Sequence, residues 1–310
     1  MLNEYIVTPD VFDPVAYQHP DAADVSLRWL KAALLEDCLV RDLRDGGWSA
    51  HCAHNAAGLH RWTKEVLAKL RTNNRLRPFA PALPADPATS ADWLTEGLAT
   101  TGVEPVAGII AAHATAAQTT DQRVGSVERL PAMNWWQARS PSRTMARSTV
   151  SYLGALEPIL RQARSLMFID PYLNPSSPNY GQIANLLHPL RHRQDPPIVE
   201  LHRSFSLIDA GTRTFPSEAA WRQKFDPLNQ TLRGAGLKAH VFLWEDFHDR
   251  FLIADVIGLS VSAGFDTPAN PNDNATWTRL GRDGKEAKQR EFDPATRPAA
   301  LKFRFAIGAT

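Results

Sequence analysis

Between residues 149 and 265 the chain alternates helical and strand patterns in an order that admits few folds. A helical stretch over roughly 149–164 leads into the apolar run "SLMFIDPYL", which Asp170-Pro171 ends. "YGQIANLLHPL" places Ile183, Leu186, Leu187 and Leu190 on one side of a helix, and "PPIVELHRSF" follows as a strand. Ser217 caps the next helix, which carries Trp221, Phe225, Leu228 and Leu232 on one face and is closed by Gly234 or Gly236. "LKAHVFLW", "RFLIADVI" and "LSVSAGF" then come as three strands in quick succession. Strands joined by crossover helices pair in parallel, whereas strands joined by tight turns do not. The run therefore predicts an α/β/α lobe built on a mixed sheet.

The residues before this lobe read as a separate, mostly helical α/β domain. Tyr5-Ile6-Val7 is a short apolar stretch stopped by Pro9-Asp10. A helix follows with Val25, Trp29, Ala32 and Leu35 on its inward face, then "CLVRDL" as a strand and Gly46-Gly47 as a turn. A second helix presents Leu59, Trp62, Val66 and Leu70. "RPFAPALPADPATSAD" is proline-rich, a linker or an extended surface loop. "EPVAGIIAAHATA" is a strand or a buried helix, and periodicity does not choose. Polar, irregular stretches beyond residue 115 mark a break. The division expected is a domain at 1–115, a linker at 116–144 and the lobe at 145–310.

Composition removes several classes. With 44% hydrophobic and 22% charged residues, the chain is an ordinary folded protein. A formal net charge of +1 gives no global pull toward nucleic acid or anionic membrane, so any basic surface is local. Two cysteines, Cys38 and Cys52, make no disulfide framework, which favours a reducing, cytoplasmic setting. The first residues, MLNEYIVTPD, lack the pattern of a signal peptide, and no apolar run approaches the roughly 20 residues that cross a bilayer. No membrane partner is expected.

"WEDFHDRFLIAD", residues 244–255, places three polar residues directly before a buried strand. Charges at such an edge are costly unless paired or used. On an extended strand His248 and Arg250 point to the same side, while Asp255 lies an odd number of residues from Arg250 and faces away. A neutral imidazole can attack phosphorus without a metal, and a guanidinium matches two phosphate oxygens. Asp255 falls to structural support of the site from behind. The plain alternative is a solvated turn, with Arg250 paired to Asp249 or Asp246.

His248, Arg250 and Asp255 fit the spacing H-x-R-x4-D, which resembles the H-x-K-x4-D signature of the phospholipase D superfamily with arginine in place of lysine. The resemblance covers residues 145–293 and includes "FIDPYL" on the first strand. It implies a hydrolase: His248 attacks a phosphodiester and forms a phosphohistidine, a second histidine protonates the leaving oxygen, and Arg250 holds the phosphate. The family's usual G-S-x-N aligns with Ser262-Ala263-Gly264-Phe265, so Ser260, Ser262 or Asp266 would have to substitute. No second motif appears in the chain, so a homodimer would bring two His248 together. The resemblance favours a nuclease acting on DNA or RNA and needing no metal or cofactor. It also implies an antiviral defence setting, with other subunits of a defence complex as partners. The alternative is an inactive scaffold or binding module of the same fold.

Asp170 and Tyr172, at the end of a parallel strand, are expected at the substrate rim, where such sheets usually bind ligands. Glu291 stands where the family often places an acidic partner. His51, Cys52, His54 and His60 invite a zinc reading but lack a spaced second pair of ligands. Asp10, Asp37, Asp42 and Asp45 suggest a metal-dependent site in the N-terminal domain, or ordinary turns. A last alternative makes residues 1–115 a degenerate second copy of the lobe, with "YIVTPDV" answering "FIDPYL".

Overall fold

The computed structural model describes every residue except Gln18, Ala210, Ala269, Pro271 and Thr310. It divides into two compact units, residues 2–140 and 141–310. Residues 116–144 are thus no linker. Most of them complete the first unit, and the rest begin a strand of the second.

The first unit is a five-stranded parallel sheet: β1 (Asn3–Val7), β2 (Cys38–Asp42), β3 (Leu76–Phe79), β4 (Gly108–Ala111) and β5 (Val124–Ser126), in the order β3-β2-β1-β4-β5. The connecting helices are α1 (Pro20–Asp37), α2 (Leu43–His54), α3 (Trp62–Thr72), α4 (Ser90–Val103) and the single turns α5 (His113–Ala116) and α6 (Asn134–Gln137). "GIIA" is a strand because it sits at the sheet's centre beside β1, fully buried. The inward face of α1 is not Val25, Trp29, Ala32 and Leu35. Val25 and Trp29 are exposed, and the stripe Ala23, Leu27, Leu30 and Leu34 is buried instead. That stripe holds four-three-four spacing and packs into the hydrophobic core of the unit.

One ion network ties three strands of this unit. Arg41 on β2, 1% exposed, grips both carboxylate oxygens of Glu4 on β1 at 3.0 and 3.1 Å. Arg77 on β3 donates to Glu4 at 2.8 Å and to Glu104 at 2.7 Å. Arg41 also donates to the Thr100 and Glu104 carbonyls at the end of α4, at 3.2 and 2.9 Å.

The second unit is an eight-stranded mixed sheet in the order β15-β11-β8-β7-β12-β13-β14-β6. Its elements are β6 (Ser142–Ala146), α7 (Thr149–Gln162), β7 (Ser165–Ile169), α8 (Ile183–Leu187), β8 (Ile198–Ser204), β9 (Leu207–Asp209), β10 (Thr212–Thr214), α9 (Glu218–Gly234), β11 (Lys238–Trp244), β12 (Phe251–Ala254), β13 (Gly258–Val261), β14 (Asn274–Arg279), α10 (Arg282–Glu291) and β15 (Leu301–Gly308). As expected from the crossover helices, β7, β8 and β11 are parallel. β12 returns antiparallel to β7, opposing Phe251 to Ile169, and β13 and β14 continue antiparallel. β9 and β10 form a separate hairpin. The Ser217 hydroxyl accepts from the Ala220 amide, and Trp221, Phe225, Leu228 and Leu232 are buried as their spacing requires. The chain is an α/β protein throughout. The five parallel strands of the first unit do not repeat this mixed sheet, which rules out a degenerate second copy.

Removing the hub of the three-strand network should be costly. Glu4→Ala leaves the buried Arg41 without its carboxylate and should lower unfolding free energy by about 3–5 kcal/mol, read from urea denaturation. An unchanged midpoint would show that the network does not support the sheet.

Candidate active site at the end of β7

Asp170 is the first residue after β7, and Arg250 the last before β12. Because Ile169 opposes Phe251, these two side chains fall on the same side of the sheet. The Asp170 carboxylate is fully buried. Its Oδ1 accepts from the Tyr172 amide at 3.0 Å, and its Oδ2 from the Tyr180 hydroxyl at 2.9 Å and the Phe265 amide at 3.1 Å. Burial raises its pKa, opposed by those three donors and by Arg250. Arg250 is one-quarter exposed, and its Nε stands 3.8 Å from Asp170 Oδ1. That is an ion pair beyond hydrogen-bond range, and the Nε–H has no hydrogen-bond partner among the described residues. The Tyr172 ring lies 5.1 Å from the guanidinium carbon, a cation–π contact.

The loop carrying Asp170 and Tyr172 is pinned from β8. Arg203, 1% exposed, donates to the carbonyls of Pro171 at 3.2 Å, Leu173 at 3.1 Å, Ser204 at 2.6 Å and Ser206 at 2.8 Å. Its guanidinium packs 3.9 Å from the Trp221 ring centre on α9. Burial pushes its pKa down to about 9, which leaves it charged at neutral pH. On the opposite face, buried His202 donates from Nε2 to Glu200 at 3.1 Å and accepts from the Trp244 indole at 2.9 Å, roles inferred from the network. Burial lowers its pKa, opposed by Glu200.

His248 is exposed in the segment between β11 and β12, two residues before Arg250. That segment is anchored on both sides of it. Asp246 accepts from the Ser204 hydroxyl at 2.5 Å and the Ser206 hydroxyl at 2.6 Å, and pairs with Arg213. Asp249 pairs with Lys288 of α10 at 3.2 Å. His248 itself stays free of such restraint among the described residues. The alternative pairing of Arg250 with Asp249 or Asp246 is not seen, since each aspartate has another cation.

The remaining motif residues lie elsewhere. Asp255 follows β12 at its far end, where its Oδ1 accepts the Arg164 amide at 3.0 Å. Four strand residues separate it from Arg250, and the support it gives through this contact is to the start of β7. The Ser262 hydroxyl accepts the Thr276 amide at 2.9 Å and extends the β13–β14 ladder. Asp266 pairs with Arg147 at 2.5 Å. Glu291 touches the site only at one remove, through Lys288 at 2.9 Å, and also meets Arg297 at 3.6 Å. The structure thus brings together Arg250, Asp170 and Tyr172, with His248 two residues before Arg250 in the exposed segment. The parts played by Tyr180 and Arg203, and the contacts of Asp246 with Ser204 and Ser206, were not found by sequence reasoning, because nothing local marks partners such as Asp170, Leu173 and Ser204, which lie 10, 30 and 42 residues away.

The other metal readings disperse. Asp37 precedes β2 and pairs with Arg139 at 2.9 Å, while Asp42 ends β2 and accepts the Ser49 amide at 2.9 Å. Cys52 is buried, and His60 faces Asp24 at 3.6 Å. Among the described residues no group of three His, Cys, Asp or Glu side chains is placed to hold a metal ion. No described helix is long and apolar enough to cross a membrane.

Gly264 shows how tightly the site is built. Its φ is +83°, and a Cβ there would sit 2.4 Å from Asp170 Oδ2 and 3.2 Å from Arg250 Cδ. Gly264→Ala should cost about 1–3 kcal/mol from the backbone alone and should displace the Asp170–Arg250 pair. A urea midpoint equal to wild type would contradict this packing.

No family model matches the chain, and no curated protein does. Among solved structures it is similar to the phospholipase D family member Nuc from Salmonella typhimurium, with TM-score 0.34 and 12% identity over 52% of this chain and 95% of that one. It is also similar to TrmBL2, an archaeal chromatin protein whose structure shows a novel mode of DNA binding, with TM-score 0.29 and 11% identity over 78% of this chain and 82% of that one. Superposition at these values is partial, and the α/β architecture rests on the strand order of the chain itself.

Proposed function

We propose that the chain is a metal-independent phosphodiesterase acting on nucleic acid, with His248 as nucleophile and Arg250 as the cation that holds the phosphate. The observation that carries this reading is the pairing of an exposed, unrestrained imidazole with a guanidinium seated two residues later on a buried carboxylate. His248 attacks phosphorus, a P–N bond forms as the P–O bond to the leaving group breaks, and the leaving oxygen takes a proton. Water then attacks the phosphohistidine and returns the imidazole. Arg250 stabilises charge on the non-bridging oxygens through its terminal nitrogens, because its Nε is turned toward Asp170. The chain supplies one such motif, so the proton donor is His248 of a second copy in a homodimer. Nucleic acid is preferred over lipid because, among the described residues, α10 beside the site is charged along its length and presents no apolar face to a membrane. The opposing reading is a binding module of the same fold. It draws on the Asp170 contact, which already neutralises much of the Arg250 charge.

The test is phosphodiester cleavage by purified protein with and without EDTA, together with dimer content. Chelator should leave the rate intact, and His248→Ala should abolish it. Arg250→Ala should cost on the order of 100-fold, while Arg250→Lys keeps much of the rate. Activity that vanishes with EDTA and survives His248→Ala would move the chemistry away from this site.

A further inference from the structure

The hairpin β9–β10 projects from the end of β8, on the same sheet edge as His248. Asp246 fastens it there by binding Ser204 and Ser206 at its base and Arg213 on β10. Phe215 lies two residues beyond Arg213, and His248 two residues beyond Asp246. With two residues on either side of one arginine–aspartate contact, their Cα atoms are separated by no more than about 30 Å. Phe215 is 62% exposed, although its ring is propped 5.5 Å from Phe205, which in turn meets Phe303 edge-on. Tyr172, 44% exposed, presents a second ring beside Arg250. Two supported aromatic rings are thus left to solvent along the edge that bears the nucleophile.

The charges at this edge narrow what can lie across those rings. Arg250 faces Asp170, Arg213 faces Asp246, Lys288 faces Asp249 and Glu291, and Lys302 faces Glu245. Each of these four solvent-reaching cations has a carboxylate, and Arg203 is buried, so the edge offers little net positive field to a duplex backbone. Base faces are open to stacking in an unpaired strand and closed in a duplex. We infer that the β9–β10 hairpin is a substrate arm for single-stranded nucleic acid, with Phe215 and Tyr172 as its base-stacking surfaces. This deepens the phosphodiesterase reading and rests on it for the placement of the scissile phosphate. Affinity then comes from stacking more than from counterion release, and the salt dependence is shallow.

Fluorescence anisotropy on the full chain with a labelled oligothymidylate, its abasic analogue of equal length and a matched duplex tests this. Wild type should bind the oligothymidylate at least 10-fold tighter than either other probe, with little change between low and moderate salt. Phe215→Ala should weaken that binding by about 5- to 100-fold, the usual range for losing one stacked base, and Phe215→Tyr should restore it. Because Phe215 is exposed, the alanine variant should fold, which its thermal unfolding checks. Equal binding of abasic and base-bearing strands, or wild-type affinity in Phe215→Ala, overturns the arm even if cleavage persists. Phe215-dependent binding without any cleavage keeps the arm and overturns the phosphodiesterase. Capture of phosphatidylserine vesicles in place of the oligonucleotide would overturn the arm in favour of a lipid surface.

Discussion

The buried carboxylate of Asp170 is the constraint on which the second unit's working edge depends. Its oxygens gather donors from Tyr172, Tyr180 and Phe265, and its charge holds Arg250. These come from the turn after β7, the approach to α8, the turn after β13 and the residue before β12. An ionised carboxylate without such donors would be expelled from the interior or neutralised. Four separate segments therefore converge because a single buried charge has to be satisfied. Gly264 follows from the same need: only a residue without Cβ lets the Phe265 amide approach Oδ2.

Much of the second unit was legible because its strands and helices carry long, clean periodicities. Trp221, Phe225, Leu228 and Leu232 admit no other helix face, and "SLMFIDPYL" no other strand end. The elements that escaped are the polar ones. β6 is an edge strand with one buried residue, β14 beside it alternates in exposure, and α10 is charged along its length with no buried residue. β15 alternates partly exposed residues and only joins β11 at the sheet's other edge. Such segments are ordered by their neighbours, so their own composition carries little signal. The α1 face was misread for a related reason: Trp29 weighed heavily in the pattern, yet a helix buries the stripe its neighbours can cover.

The site divides in the same way. His248 and Arg250 were visible as polar residues directly before a buried strand, although β12 begins only at Phe251 and the alternation expected between them does not apply, and Asp170 because carboxylates ending parallel strands lie at a functional edge. Asp255 reads from the sequence as structural support, and its contact with the Arg164 amide lies at the far end of β12. Sequence distance along a strand becomes real distance, and four residues of β12 carry it to the opposite edge, onto the Arg164 amide. Arg203 and Asp246 were invisible because their work is done on backbone carbonyls and hydroxyls of distant segments, contacts that no spacing rule encodes.

Arginine at position 250 also follows from this arrangement. Lysine would keep a positive charge beside the buried carboxylate, but as a single ammonium it lacks a second side to present. A guanidinium is wider, so its Nε side can face Asp170 while the terminal nitrogens remain for a ligand. Tyr172 covers the flat face of the same group and limits where those nitrogens swing. The cation is thus aimed by one aspartate and one aromatic ring, while His248, two residues before it, is exposed and takes no such restraint from the described residues.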